Sequence, residues 1–181
     1  METLRSREVY SNRWITLRED EVRQPDGQES VYAFIEKACF AIVVPWDGER
    51  FHLVEQYRYP LRRRCWEFPG GAVAGSQFDP IAVARQELRE ETGLRAGRLT
   101  PLGKVAPAPA TSNHYGYVVL ATELTAGAHE REPSEADMES AWFTRDEVED
   151  MICAGVIVDA QTVAAYSLLL LRERRGELGQ P

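Results

Sequence analysis

Nowhere in its 181 residues does the chain hold an apolar run approaching the ~18 residues that cross a bilayer. Its first residues, Met1-Glu2-Thr3-Leu4-Arg5-Ser6-Arg7-Glu8, lack the apolar core of a secretory signal. Cysteine is scarce: Cys39, Cys65 and Cys153 are odd in number and far apart, suited neither to a disulfide framework nor to a zinc site. These absences set the expectation of a cytoplasmic protein with reduced thiols and no membrane partner. Positive charge is in deficit too, since Lys and Arg total 21 against 29 Asp and Glu, a net −8. That sign argues against sequence-blind binding to nucleic acid, whose phosphates need a basic surface. A small phosphorylated ligand is still admissible, provided that a cation stands between the carboxylates and the phosphates.

What the chain does have is a hydrophobic share of 44% and a mean hydropathy of −0.38, enough for the core of one soluble domain. There is no internal repeat. Residues 14–22 and 31–36 flank the turn signal Gln24-Pro25-Asp26-Gly27, predicting an N-terminal hairpin or small sheet within residues 1–37. Residues 39–44 form a near-continuous apolar run ended by Pro45, the pattern of a strand buried on both faces. Further strands are expected over 51–57, 66–69, 115–122 and 140–143, and helices over 145–154 and 160–174. Strands interleaved with a few helices predict a layered α/β fold with a mixed sheet. The main domain spans 38–176, and 177–181 reads as a frayed tail.

The best helix lies between Asp79, a good N-cap followed by Pro80, and the stop at Gly93. Ile81, Ala84 and Leu88 define its buried stripe. On the flank of that stripe Glu87 and Glu91, four residues apart, stand nearly one above the other, with Glu90 one step further toward solvent. Like charges at this spacing oppose helix formation, so a divalent cation is the favoured counterweight. A solvated acidic face balanced by Arg85, Arg89 and Arg95 is the bland alternative. The helix follows Glu67-Phe68-Pro69-Gly70-Gly71, a glycine pair at which backbone comes close to a ligand. One carbonyl from that loop with two or three of the carboxylates Glu87, Glu90 and Glu91 would complete a metal site.

These residues carry a resemblance. The stretch Gln86-Glu87-Leu88-Arg89-Glu90-Glu91-Thr92-Gly93-Leu94 matches six of the seven specified positions in the second half of the Nudix box. Segments 53–60 and 66–71, Leu102-Gly103-Lys104 with Pro107 and Pro109, and Asp159-Ala160-Gln161-Thr162 are similar to the ADP-ribose pyrophosphatase branch of the Nudix hydrolases. The resemblance implies an α/β/α sandwich and an N-terminal β segment that often builds a homodimer. It implies Mg²⁺, with Mn²⁺ able to substitute, and hydrolysis of the diphosphate bond in a nucleoside diphosphate derivative. With ADP-ribose the products would be AMP and ribose 5-phosphate. Another nucleotide sugar, a dinucleoside polyphosphate, or a non-catalytic binding module are the open alternatives.

The chain departs from the box in three ways. Gln86 replaces its Arg and Phe78 its first Glu, and the loop after Gly71 is one residue longer. Those two residues normally pair with each other, so losing both leaves no charge stranded. For the remaining roles, the resemblance points to an acidic residue of the 130–139 loop as general base. Glu135 is the first choice and Glu139 the second, and a solvated loop is the plain alternative. Arg58 is the candidate for gripping the diphosphate, and Glu67 for holding the glycine loop or forming a simple ion pair. Trp14 and Phe34 are candidates for stacking on a purine, against an equal case for core or interface packing. His114 is a weak specificity candidate, while Arg62, Arg63 and Arg64 read as a solvated turn.

Overall fold

The computed structural model describes residues 1–72, 78–128, 130–131 and 137–178. Among the described residues, ten strands and three α-helices follow one another in the order β1 (Glu2–Ser11), β2 (Thr16–Arg23), β3 (Glu29–Glu36), β4 (Phe40–Pro45), β5 (Arg50–Arg58), β6 (Arg63–Glu67), β7 (Gly70–Ala72), α1 (Pro80–Thr92), β8 (Arg95–Val105), β9 (Gly116–Thr125), β10 (Glu139–Thr144), α2 (Arg145–Cys153) and α3 (Ala160–Arg174). A four-stranded sheet runs β7-β4-β9-β8, with β4 and β9 parallel and the other pairs antiparallel. The antiparallel sheet β10-β5-β6 stands beside it, and β1-β2-β3 form a separate meander.

Strand β4 explains the layering. All six of its residues are buried, as the apolar run predicted. Because successive side chains point to opposite faces, Phe40, Ile42 and Val44 join Val148 of α2 and Ala165, Tyr166 and Leu169 of α3. Ala41 and Val43 instead meet Val83, Ala84 and Leu88 of α1. The parallel neighbour β9 divides in the same way, Val118 and Leu120 to one face and Val119 and Ala121 to the other. Helices therefore cover both faces of a mixed sheet, which is the expected α/β/α sandwich.

The N-terminal segment is the small sheet expected there, a three-stranded meander in which polar β1 pairs along all of β2 without an apolar pattern to announce it. Other expectations are corrected. Strand β8 was missed for a similar reason: its 11 residues contain Pro101, a register shift and two glycines, which break the alternation. Strand β6 begins at Arg63, so only Arg62 of the arginine run sits in the turn, in a left-handed conformation. On α1 the buried stripe is Val83, Ala84, Leu88 and Glu91, with Ile81 only half-buried. In the expected tail, Glu177 pairs with Arg172 and Leu178 packs on the core. Among the described residues no helix is long and apolar enough to cross a membrane.

Candidate active site

Helix α1 is built as its ends require. The Asp79 side chain accepts the Ile81 N–H at 2.9 Å, Pro80 fills the first turn, and Gly93 closes the helix at φ 73°. This frame turns its last two turns toward the glycine loop. Glu91 is 2% exposed, and its Oε2 accepts the Gly70 N–H at 3.1 Å. Glu87 lies against Gly71, where an added Cβ would stand 2.5 Å from Glu87 Oε1. Glycine is required there so that a carboxylate can lie over the backbone. At Gly70 a Cβ would overlap the Ala41 carbonyl oxygen of β4, so the second glycine serves close strand packing.

Glu90 is placed differently from its two neighbours. Gln86 donates to both of its oxygens, at 3.0 and 3.2 Å, and Arg89 approaches at 3.6 Å. Among the described residues, no three acidic, His or Cys side chains converge into a closed metal cage. What the loop and helix do offer is two carboxylates, Glu87 and Glu91, on one stretch of backbone. Mg²⁺ is held in that way, by one or two carboxylates with water and substrate phosphates completing its shell. The donors present therefore fit an open Mg²⁺ or Mn²⁺ site.

A cavity of ≈ 440 Å³ opens beside this loop. Gly71, Arg58, Glu67, Lys37, His114 and Gln161 contribute to its wall, together with the start of α3. Arg58 ends β5 opposite Arg63, and Glu67 ends β6 opposite Val54, so the Arg58 side chain meets Glu67 by reaching back along the paired strands. Arg58 Nε donates to Glu67 at 2.8 Å and a terminal nitrogen donates to the other carboxylate oxygen. This bidentate bond raises the guanidinium further above its already high range. Glu67 is 5% exposed, so the plain ion pair weighed for it is present, at the rim of the cavity.

Other candidates are distributed less compactly. Glu135 lies outside the described residues. Glu139 opens β10 opposite Glu55, exposed, and does not line the cavity. Phe34 helps to line a second cavity of ≈ 320 Å³, which shares His114 with the first. His114 is buried, bonded to Ser112 Oγ at 2.9 Å, and burial lowers its pKa, with the Lys37 charge adding to the effect. Trp14 is 66% exposed with the Arg13 guanidinium 4.1 Å over its ring, away from both cavities.

Two residues of the neighbourhood escaped sequence reasoning. Arg131 donates from Nε to the Glu91 carbonyl at 3.1 Å and from a terminal nitrogen to the Met138 carbonyl, joining the end of α1 to the approach to β10. A lone arginine in an acidic segment gives no sequence signal for such a bridge. Arg64 was read as solvated, yet it holds Glu55 at 2.5 Å and Asp137 at 3.0 Å. Its strand position was the missing information.

Comparison with known proteins places this geometry. Residues 1–35 match the nucleoside diphosphate sugar hydrolase N-terminal domain, and residues 36–166 match the NUDIX domain. An ADP-ribose pyrophosphatase of Mycobacterium tuberculosis is 34% identical over 165 residues, covering 90% of this chain and 80% of that protein. An ADP-ribose pyrophosphatase of Bacillus subtilis is 28% identical over 173 residues, covering 94% and 93%. A crystal structure of an ADP compounds hydrolase superposes with a TM-score of 0.82 over 97% of this chain and 96% of its own, at 21% identity. The domain match runs from β4 into the first half of α3, taking in the glycine loop and the carboxylate helix, and on that evidence the chain belongs to the NUDIX family.

Proposed function

We propose that this chain, a Nudix pyrophosphohydrolase, hydrolyses the diphosphate bond of ADP-ribose and similar nucleoside diphosphate derivatives, yielding AMP and ribose 5-phosphate from ADP-ribose. The observation that carries the reading is the meeting of Glu87 and Glu91 with the Gly70-Gly71 loop beside a cavity bordered by Arg58. Mg²⁺ held by the Gly70 carbonyl, Glu87, Glu91 and Glu90, with Mn²⁺ able to replace it, supplies charge neutralisation for the diphosphate and activation of the attacking water. Glu67 engages two of the five Arg58 N–H groups, which leaves donors for phosphate oxygens. Arg58 thus orients the diphosphate while Glu67 fixes the guanidinium plane.

We assign the general base to Glu135, with Glu139 as second choice. Support comes from either side of Glu135, where Arg131 ties the chain to Glu91 and Arg64 ties it to Asp137. We further propose a homodimer in which Trp14 or Phe34 stacks on the nucleobase at the partner's site. Strand β1 is exposed throughout, and Leu4, Val9, Tyr10 and Val31 stand in solvent in the single chain. Unpaired Cys39, Cys65 and Cys153 accord with work in the cytoplasm. The match of residues 1–35 favours a second substrate reading, another nucleoside diphosphate sugar.

The test is a panel of ADP-ribose, ADP-glucose and diadenosine polyphosphates with Mg²⁺, followed by chromatography of released nucleotides. AMP from ADP-ribose above all others supports the first reading, and preference for another sugar supports the second. No hydrolysis of any member, with Mg²⁺ or Mn²⁺, would overturn both.

A further inference from the structure

The glycine loop is held from three directions, one of which comes from the far end of the chain. Thr162 is 1% exposed, and its Oγ1 accepts the N–H of Phe68, 94 residues away, at 3.0 Å. Pro69 has no N–H to place, and its carbonyl accepts from Val43 of β4 at 2.8 Å. The Gly70 N–H goes to Glu91. Both N–H groups of residues 68–70 therefore end on side-chain oxygens, one from α3 and one from the carboxylate helix.

The anchor on α3 is itself well placed. The Thr162 N–H is capped by Asp159 Oδ2 at 2.8 Å, which fixes the hydroxyl within the first turn. Asp159, Ala160 and Gln161 form part of the cavity wall. One helix start thus shapes the cavity and holds the loop that meets Glu91.

We infer that Thr162 is a positioning residue for the divalent-cation site. Its hydroxyl sets the place of Phe68 and, through Pro69, of the Gly70 backbone and the carboxylate bonded to it. Cation affinity then depends on a side chain that touches neither cation nor substrate. This inference rests on the reading of Gly70 and Glu91 as metal donors. Phe68 is 4% exposed, so removing its acceptor leaves a buried N–H without a partner and drives the loop to seek another. Groups behind metal ligands characteristically alter affinity ~10- to 100-fold when removed. A hydroxyl that merely satisfied one amide would change stability without changing affinity.

The experiment titrates Mn²⁺ into the full-length protein and its variants, with free Mn²⁺ read by electron paramagnetic resonance and stability by urea unfolding. Glu91→Gln should bind much more weakly than the parent, Thr162→Val about tenfold more weakly, and Thr162→Ser as the parent does. Thr162→Val binding as tightly as the parent, while Glu91→Gln does not, overturns the role of Thr162 alone. So does a weakening that serine fails to restore. Equal binding by the parent and Glu91→Gln overturns the metal reading and the inference with it. If the valine variant does not fold, Thr162→Cys carries the same test with a poorer acceptor of similar size. Reduced affinity there supports the inference, and parental affinity overturns it.

Discussion

Phe78 lies against Tyr117 of β9, with ring centroids 5.2 Å apart, and packs on the apolar cluster beneath α1. The box acid has been replaced by a side chain that joins the core. The box arginine, Gln86, has turned along the helix to bond Glu90. Phe78→Glu alone should therefore lower stability by about 2 kcal/mol, as burying part of an unpaired charge does, and should not raise turnover. Phe78→Glu with Gln86→Arg should recover part of that loss in urea unfolding. A large gain in AMP release from the single change would show that the two losses are not linked.

Glu91→Gln should reduce kcat by at least ~10²-fold, because an electrostatic partner is removed where charge develops. The fold should hardly notice, since an amide oxygen still accepts the Gly70 N–H and the volume is kept, so unfolding should move by less than about 1 kcal/mol. Chelator should abolish the parent's turnover as well. Full activity in the variant, or in excess chelator, removes the metal from the reaction.

His52 carries a pH dependence. Buried on β5 against Trp142, it has no partner for Nδ1 among the described residues. Burial first, and then the Arg131 charge, lower its pKa from 6.5 to about 4. The unfolded chain thus takes up this proton near pH 6.5 and the folded one only near pH 4. The resulting stability is complete above pH 6.5 and drains away as pH falls toward 4, by about 2 to 3 kcal/mol. Urea midpoints for the parent and His52→Gln should converge as pH drops from 7.5 to 4.5. Parallel curves would mean that His52 contributes nothing to acid sensitivity.

Deleting residues 1–37 should turn a dimer into a monomer that keeps Mn²⁺ binding and loses affinity for the adenosine half of the substrate. In the chain itself this segment is clipped down mainly at one end, where Ile35 N–H meets the Thr111 carbonyl at 2.8 Å and Tyr32 Oη meets Ala110 at 2.6 Å. Light scattering that found the full-length protein monomeric, with undiminished ADP-ribose turnover, would leave the segment a structural flank.

The legible parts of the sequence were those in which local chemistry and burial agree. Helix α1 was visible from Asp79, Pro80 and Gly93, and α3 from Ala160 to Arg174, because caps and apolar stripes fix ends and faces together. Strand β4 announced itself by a run with no polar face. Strand β1 could not, since none of its residues is buried and its pairing with β2 leaves no periodic mark. At the site, Glu87 and Glu91 were legible from helical spacing and a glycine pair. Thr162 and Arg131 were not, because their bonds join residues 94 and 40 positions apart, and only the fold makes them neighbours.

The same meander must solve a problem that the core never meets. Strands with a buried face are locked in place by it, whereas β1 is exposed throughout and β2 buries Val22 alone, which leaves their pairing little such ratchet against sliding. Along β1 and β2 the partners instead alternate in sign: Glu2 opposite Arg23, Arg5 opposite Glu21, Arg7 opposite Glu19 and Glu8 opposite Arg18. Each pair adds little strength at such exposure, but a sideways slip forfeits them together and brings like charges face to face. Alignment is thus written in charge where elsewhere it is written in oil, and concentrated salt should erase it here first.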